Sequence, residues 1–198
     1  MLKETKVFGK LFCYNWSRGK AFMRYGLYFS FDESTEEALQ KLREELARQV
    51  PGLPGIEGKM GPHLTMLIFD DSNQASVIER FQGLAGDLES FTLKLGEIAH
   101  FQGRRRVVYV EPVMPEKLRE NYERCRTAYI SSEIVPAYND PVLWKPHVTL
   151  AKGIKSHGPF NKAKNIAEKI WNPVEARIRS FGLIDVQKPT EPLALKKL

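Results

Sequence analysis

The chain has 198 residues, 42% of them hydrophobic, and its 30 Lys and Arg against 24 Asp and Glu give a formal charge of +6. That length and apolar content suit a stable globular protein, one domain or two small lobes sharing a core, and the modest positive charge fits a polyanionic partner as well as an ordinary solvated surface. Cys13 and Cys125 form neither a CxxC pair nor a disulfide framework, and no stretch approaches the roughly 18 apolar residues of a membrane-spanning helix. Thiolate zinc and a membrane-spanning helix are therefore not expected, and a soluble cytoplasmic protein with free thiols is expected.

Residues 1–22 mix Lys3, Lys6, Lys10, Arg18 and Lys20 with Phe8, Phe12, Tyr14, Trp16 and Phe22. They lack the apolar centre and small-residue cleavage site of a secretory signal, so residues 1–23 read as an N-terminal extension. Residues 24–31 (RYGLYFSF) predict a strand, and Asp32 to Ser34 offer caps for a helix. Ala38, Leu39, Leu42, Leu46 and Val50 recur at helical spacing until Pro51-Gly52 stops them. A loop over 51–61 leads into a strand over 63–69, a second helix capped within 70–73 runs to about Leu88, and a strand follows over 91–100.

The second half repeats this order: a strand over 105–111, a helix over 116–130, a loop over 136–146 and a strand over 147–152. A helix over 160–171 and a long final strand over 174–186 come next. Residues 188–198, broken by Pro189 and Pro192, predict a loosely held tail.

One phrase occurs twice, Pro62-His63-Leu64-Thr65-Met66-Leu67 and Pro146-His147-Val148-Thr149-Leu150-Ala151. On a strand, residues two apart share a face, so each copy presents an imidazole beside a hydroxyl while its apolar residues point away. The recurrence of the phrase, with the same element order around it, predicts an internal duplication. The expected fold is α+β, a bilobal pseudo-two-fold arrangement in which antiparallel sheets line a central cleft and helices cover the outer faces. A single bilobal domain over 24–187 is expected, with lobes roughly at 24–100 and 104–187 and exchange of strands between them left open.

A single His-x-Thr occurs by chance, and a lone strand histidine is more often structural than catalytic. Two copies that agree in flanking proline, strand context and place in the repeat favour function. His63-Leu64-Thr65-Met66 and His147-Val148-Thr149-Leu150 resemble the paired His-x-Ser/Thr-x motifs of the 2H phosphoesterase superfamily, and are most similar to its bacterial 2′-5′ RNA ligase-like and cyclic phosphodiesterase branch. Ala151-Lys152 stands where several of those members carry an arginine ending.

An imidazole of ordinary pKa about 6.5 sits neutral as a base or charged as an acid near neutral pH. One histidine would remove a proton from water or a ribose hydroxyl and the other would protonate the departing ribose oxygen, with either assignment open. Thr65 and Thr149 would donate to the non-bridging oxygens, and the scheme requires no metal and no cofactor. The resemblance implies a substrate carrying a 2′,3′-cyclic phosphate or a 2′-5′ linkage, on an RNA end or a nucleotide. No obligatory protein partner is evident from the sequence, and a monomer is expected.

Lys145 and Lys59 share strand parity with His147 and His63 and are candidate phosphate contacts. Lys152 is another, although simple alternation turns it away from His147 and Thr149. Tyr25, Tyr28 and Tyr109 are candidates to stack a base, with core packing the preferred role for most strand aromatics. His100 and His157 lack the phrase and read as surface residues, and Arg104-Arg105-Arg106 as a solvated hairpin turn or a contact to RNA phosphates. Two other classes of function compete: a non-catalytic module of the same fold that binds RNA ends or nucleotides, and an interaction protein acting through residues 1–22.

Overall fold

A computed structural model describes residues 22–53, 60–103 and 106–198. Residues 1–21 of the N-terminal extension, Lys59 and Arg104-Arg105 lie outside these described residues, while Met23, expected in the extension, opens the first strand. Strand β1 (Met23–Phe31) sends Tyr25, Leu27, Phe29 and Phe31, all wholly buried, to one face, the period of two that a half-buried strand needs. Asp32 then caps α1 (Glu33–Gln49), accepting from the Thr35 amide and the Ser34 and Thr35 hydroxyls. The same carboxylate takes the Arg177 amide from a distant strand.

After β2 (Leu64–Asp71), Asn73 caps α2 (Gln74–Gly86) by accepting the Ser76 amide. β3 (Thr92–Phe101) and β4 (Arg106–Pro112) lead to α3 (Glu116–Ala128), the short β5 (Glu133–Ile134) and the one-turn α4 (Pro136–Asn139). β6 (Val148–Ile154), α5 (His157–Ile170), β7 (Val174–Asp185) and β8 (Ala194–Lys197) complete the chain. The class is α+β and the pairing antiparallel, as expected, but the eight strands form one sheet in the order β1-β2-β6-β4-β3-β7-β8. β5 pairs with β2, and β1 also pairs with β7, so the sheet closes back on itself.

Helices cross between the two halves of this sheet. α1 follows β1 in sequence, yet its Arg43 reaches β6, donating twice to the Thr149 carbonyl (3.1 and 2.6 Å). α3 follows β4, yet the Tyr129 ring at its end lies against Phe69 of β2, centroids 4.3 Å apart, and its hydroxyl donates to the Val77 carbonyl of α2. These contacts tie α1 and α3 to elements from the other half of the chain.

Residues 188–198 are not a loose tail. β3 pairs with β7 only over residues 174–177, which leaves the edge of β7 open farther along. β8 fills that edge from Ser180 to Leu183, and the Leu198 amide donates to the Arg179 carbonyl. The strand over 174–186 is long but not final, and the loop over 136–146 opens with the turn of α4.

Asp32 joins a helix start to β7 through four hydrogen bonds, which outweigh the effect of burial and hold its carboxyl well below the usual carboxylate range. Asp32→Ala is expected to lower stability by about 1–2 kcal/mol in urea unfolding, with no change in slope; a midpoint equal to wild type would show that the cap contributes nothing.

Candidate active site

Each motif histidine stands one residue before its strand: β2 begins at Leu64 and β6 at Val148. These strands meet at one Cα pair, Leu64 with Val148, both wholly buried. Carried one residue either way in antiparallel register, that pair sets His63 across from Thr149 and His147 across from Thr65, on the face opposite the buried residues. The two histidines are then diagonal neighbours, about 7–8 Å apart at the backbone, a spacing that admits one phosphate between the rings. Pro62 and Pro146 precede them, and having no N–H they suit the point where the ladder stops.

A bulge follows each motif threonine. Leu27 pairs with Leu67 but Tyr28 with Thr65, leaving Met66 as the extra residue. Val108 pairs with Ala151 but Tyr109 with Thr149, leaving Leu150 as the extra residue. Two consecutive buried residues result in each strand, Met66-Leu67 and Leu150-Ala151, after which alternation restarts with the opposite parity. Lys152 is thereby returned to the face of His147 and Thr149, correcting the parity expected from the sequence.

The two rings are held alike. Nδ1 of His63 lies 2.9 Å from the Gly61 carbonyl and Nδ1 of His147 lies 2.8 Å from the Lys145 carbonyl. A carbonyl only accepts, so each Nδ1 carries a proton and donates it. In the neutral ring Nε2 is then left with its lone pair, the form a general base needs. Tyr28 meets His63 edge-on at 5.8 Å between centroids, while His147 contacts Phe101 (5.0 Å) and Tyr109 (5.2 Å). A Cβ on Gly182 would clash with Cζ, Cε1 and the hydroxyl of Tyr28, so glycine there leaves room for the Tyr28 side chain beside His63.

Burial pushes the His63 imidazole down to about 4; the Gly61 carbonyl opposes this, and the positive charges of Arg43 and Lys152, with that of His147 whenever it is protonated, push in the same direction as burial. Burial lowers His147 as well, against the Lys145 carbonyl. Arg43, 8% exposed, is lowered to about 10 by burial and stays charged at neutral pH. The cleft of the free protein therefore holds two neutral imidazoles near fixed positive charge. An anion between them would offset that charge and raise both pKa values.

The expected site residues fare unequally. His63, Thr65, His147, Thr149 and Lys152 share one face. Lys145 is exposed and contributes its carbonyl. Tyr109, 5% exposed, is packed between Phe101 (4.4 Å) and His147, so it props the imidazole. Tyr25 is 0% exposed and stacks on Phe69 at 5.7 Å; it points into the core and does not reach a base in the cleft. Tyr28, of opposite parity, is the β1 tyrosine beside the site. Arg43 was missed, although the sequence marks it: it falls on the same helix stripe as Leu39, Leu42 and Leu46. Among the described residues no three His, Cys, Asp or Glu side chains are grouped to hold a metal ion, and no helix is long and apolar enough to cross a membrane.

A family model described as the 2′-5′ RNA ligase superfamily matches residues 31–190. No curated protein matches the chain by sequence. Among solved structures, LigT of E. coli complexed with phosphate is similar over 89% of this chain and 98% of its own, at 15% identity and TM-score 0.59. LigT complexed with 3′-AMP gives 17% identity and TM-score 0.61, again over 89% of this chain and 98% of its own. TT0787 of Thermus thermophilus gives 20% identity and TM-score 0.59 over 89% and 95%. At such identities these structures establish the shared fold.

The His63 ring is expected to titrate near pH 4 by NMR, and Lys152→Met, which removes a nearby positive charge, to raise that midpoint; a wild-type midpoint at the ordinary value would overturn the electrostatic account. The same shift carries a stability consequence. The unfolded chain protonates His63 at about 6.5, above the folded value, so between these the unfolded state binds more protons and stability falls as pH falls. His63→Gln is expected to make the Tm decline less steeply over that window in differential scanning calorimetry.

Proposed function

The chain belongs to the 2′-5′ RNA ligase superfamily, and from that premise we propose that it is a metal-independent phosphodiesterase acting on a 2′,3′-cyclic phosphate or a 2′-5′ phosphodiester of an RNA end or nucleotide. The observation that supports this reading most is the Leu64–Val148 register, which sets two identically held imidazoles diagonally across one face. A neutral histidine takes a proton from the attacking water or ribose hydroxyl through Nε2. The other, protonated once the phosphate is bound, gives its proton to the departing ribose oxygen, so the pair ends with protonation states exchanged. Thr65 and Thr149 donate to the non-bridging oxygens as phosphorus becomes five-coordinate, and Lys152 adds positive charge on the same face. The proposal includes a monomer in the cytoplasm, a setting that suits the unpaired, buried Cys125.

Hydrolysis of a nucleoside 2′,3′-cyclic phosphate and of a 2′-5′-linked dinucleotide, measured in excess EDTA, tests the reading. Turnover of at least one is expected, with His63→Ala and His147→Ala each lowering kcat by about 10²–10⁴. Because both imidazoles are lowered in the free protein, the kcat/KM optimum should lie below about pH 6.5, the ordinary imidazole value, and the acid-requiring limb of kcat should extend to higher pH. Turnover that survives both substitutions, or that EDTA abolishes, would sink the mechanism. Nucleotide binding without turnover would indicate the non-catalytic module instead.

A further inference from the structure

Beside His63, on the side away from His147, a cavity of about 240 Å³ opens between β1, β7 and the C-terminal segment. Pro189, Thr190, Glu191 and Pro192 form its outer wall. That wall is anchored on both sides: before it the Lys188 amide donates to the Asp185 carbonyl, and after it the Leu193 amide donates to the Leu183 carbonyl and β8 pairs with β7. The hydroxyls of Ser30 and Ser180 bond each other in the lining, and the Tyr28 ring and Ile184 supply apolar surface. The volume lies under the roughly 300–1,000 Å³ usual for whole-ligand pockets, so it suits a part of a ligand.

The charge of the lining decides which part. Among the described residues its acidic and basic side chains are Glu36, Glu191 and His63, with no lysine or arginine in the lining, although the Arg179 charge outside it acts on Glu36. The cations that act on His63, Arg43 and Lys152, belong to α1 and β6 and are absent from this lining. Two carboxylates repel a phosphate, so the phosphate of a substrate takes the His147 and Lys152 side and the cavity receives what is attached to it. Glu36 Oε1 accepts the Phe31 amide at 3.2 Å, and no described residue donates to Oε2. A half-buried carboxylate oxygen with apolar and hydroxyl walls around it calls for an uncharged group carrying N–H donors.

We propose that this cavity is a nucleobase subsite, closed by the C-terminal segment, that selects a base presenting N–H donors to Glu36. Guanine, with two adjacent donors on its pairing edge, fits best. Uracil, whose single N–H lies between two carbonyls, fits worst. The inference rests on the phosphodiesterase reading for its substrate, but the pocket itself can be probed apart from catalysis.

The test compares the four nucleoside 2′,3′-cyclic phosphates with ribose 2′,3′-cyclic phosphate, which has no base. In wild type the guanosine substrate is expected to have a KM about tenfold below the uridine one, the size of one hydrogen bond to a charged group. Glu36→Gln, which keeps the size of the side chain and its bond to Phe31, should bring the two KM values together with less effect on kcat. Thr190→Trp, which fills the cavity from its wall, should raise KM for base-bearing substrates more than for the base-free one. In parallel, free guanosine and uridine are titrated while the backbone amides of Gly61 and Ser180 are followed by NMR. Guanosine should shift them at lower concentration than uridine. Equal kcat/KM with every base and with none would overturn the subsite and leave the phosphodiesterase standing. Selective guanosine shifts without turnover of any substrate would keep the subsite and remove the phosphodiesterase reading, whereas no selective shift and no base preference removes the subsite whatever the turnover.

Discussion

The site depends on one main-chain pairing. β2 and β6 share the Leu64–Val148 contact, and everything that faces the cleft is placed by it. Leu64, Met66, Val148 and Leu150 are buried to within 1%, and a slip of one residue in either strand would turn them outward and bury the histidines. The register is thus set by the apolar side chains, while the polar ones take the positions left over. The same argument explains why the motif alternates: the core needs every second residue, and the chemistry uses the others.

The two halves of the site are alike in how they hold a ring and unlike in what surrounds it. Each imidazole is fixed by the carbonyl two residues before it, across a proline. His147 then packs against both Phe101 and Tyr109, whereas His63 has Tyr28 on one side and feels the charge of Arg43 and Lys152. The repeated Pro-His-apolar-Thr phrase supplies the common frame. Differences in the neighbouring strands and in α1 give the two histidines different environments, which is what acid–base division of labour requires. The C-terminal segment extends the asymmetry, since β8 pairs along β7 next to β1 and nothing equivalent stands beside His147 among the described residues.

The elements and both motifs were legible because they rest on local signals. Asp32 and Asn73 announce their helices, and the His-x-Thr spacing announces its shared face. What was not legible is non-local. The bulges at Met66 and Leu150 carry no glycine or proline and show only as an extra apolar residue, so the position of Lys152 could not be read by counting in twos. The run RYGLYFSF is aromatic on both faces, and only the partner strands show that Tyr25 points inward and Tyr28 toward His63. The C-terminal strand forms because β3 leaves an edge of β7 open, a fact about a distant part of the sheet. The crossing of α1 and α3 between halves belongs to the same class. Arg43 gains its role through that crossing, which brings it to the Thr149 carbonyl.

Arg43 also explains why the resting cleft is charged in the way it is. A buried guanidinium without a carboxylate partner is costly, and among the described residues Arg43 forms no ion pair, only its bonds to Thr149. Its charge lies close enough to His63 to help keep that ring neutral. A bound phosphate would lessen the cost of the buried cation and, by the same electrostatics, favour a proton on the imidazoles. In the proposed reaction substrate charge and catalytic proton would be coupled: the reacting anion would also be the group that makes an acid of a histidine otherwise neutral at physiological pH. An uncharged molecule of the same shape would leave both rings as bases, so under the proposed reaction the cleft would favour anions in the chemical step itself.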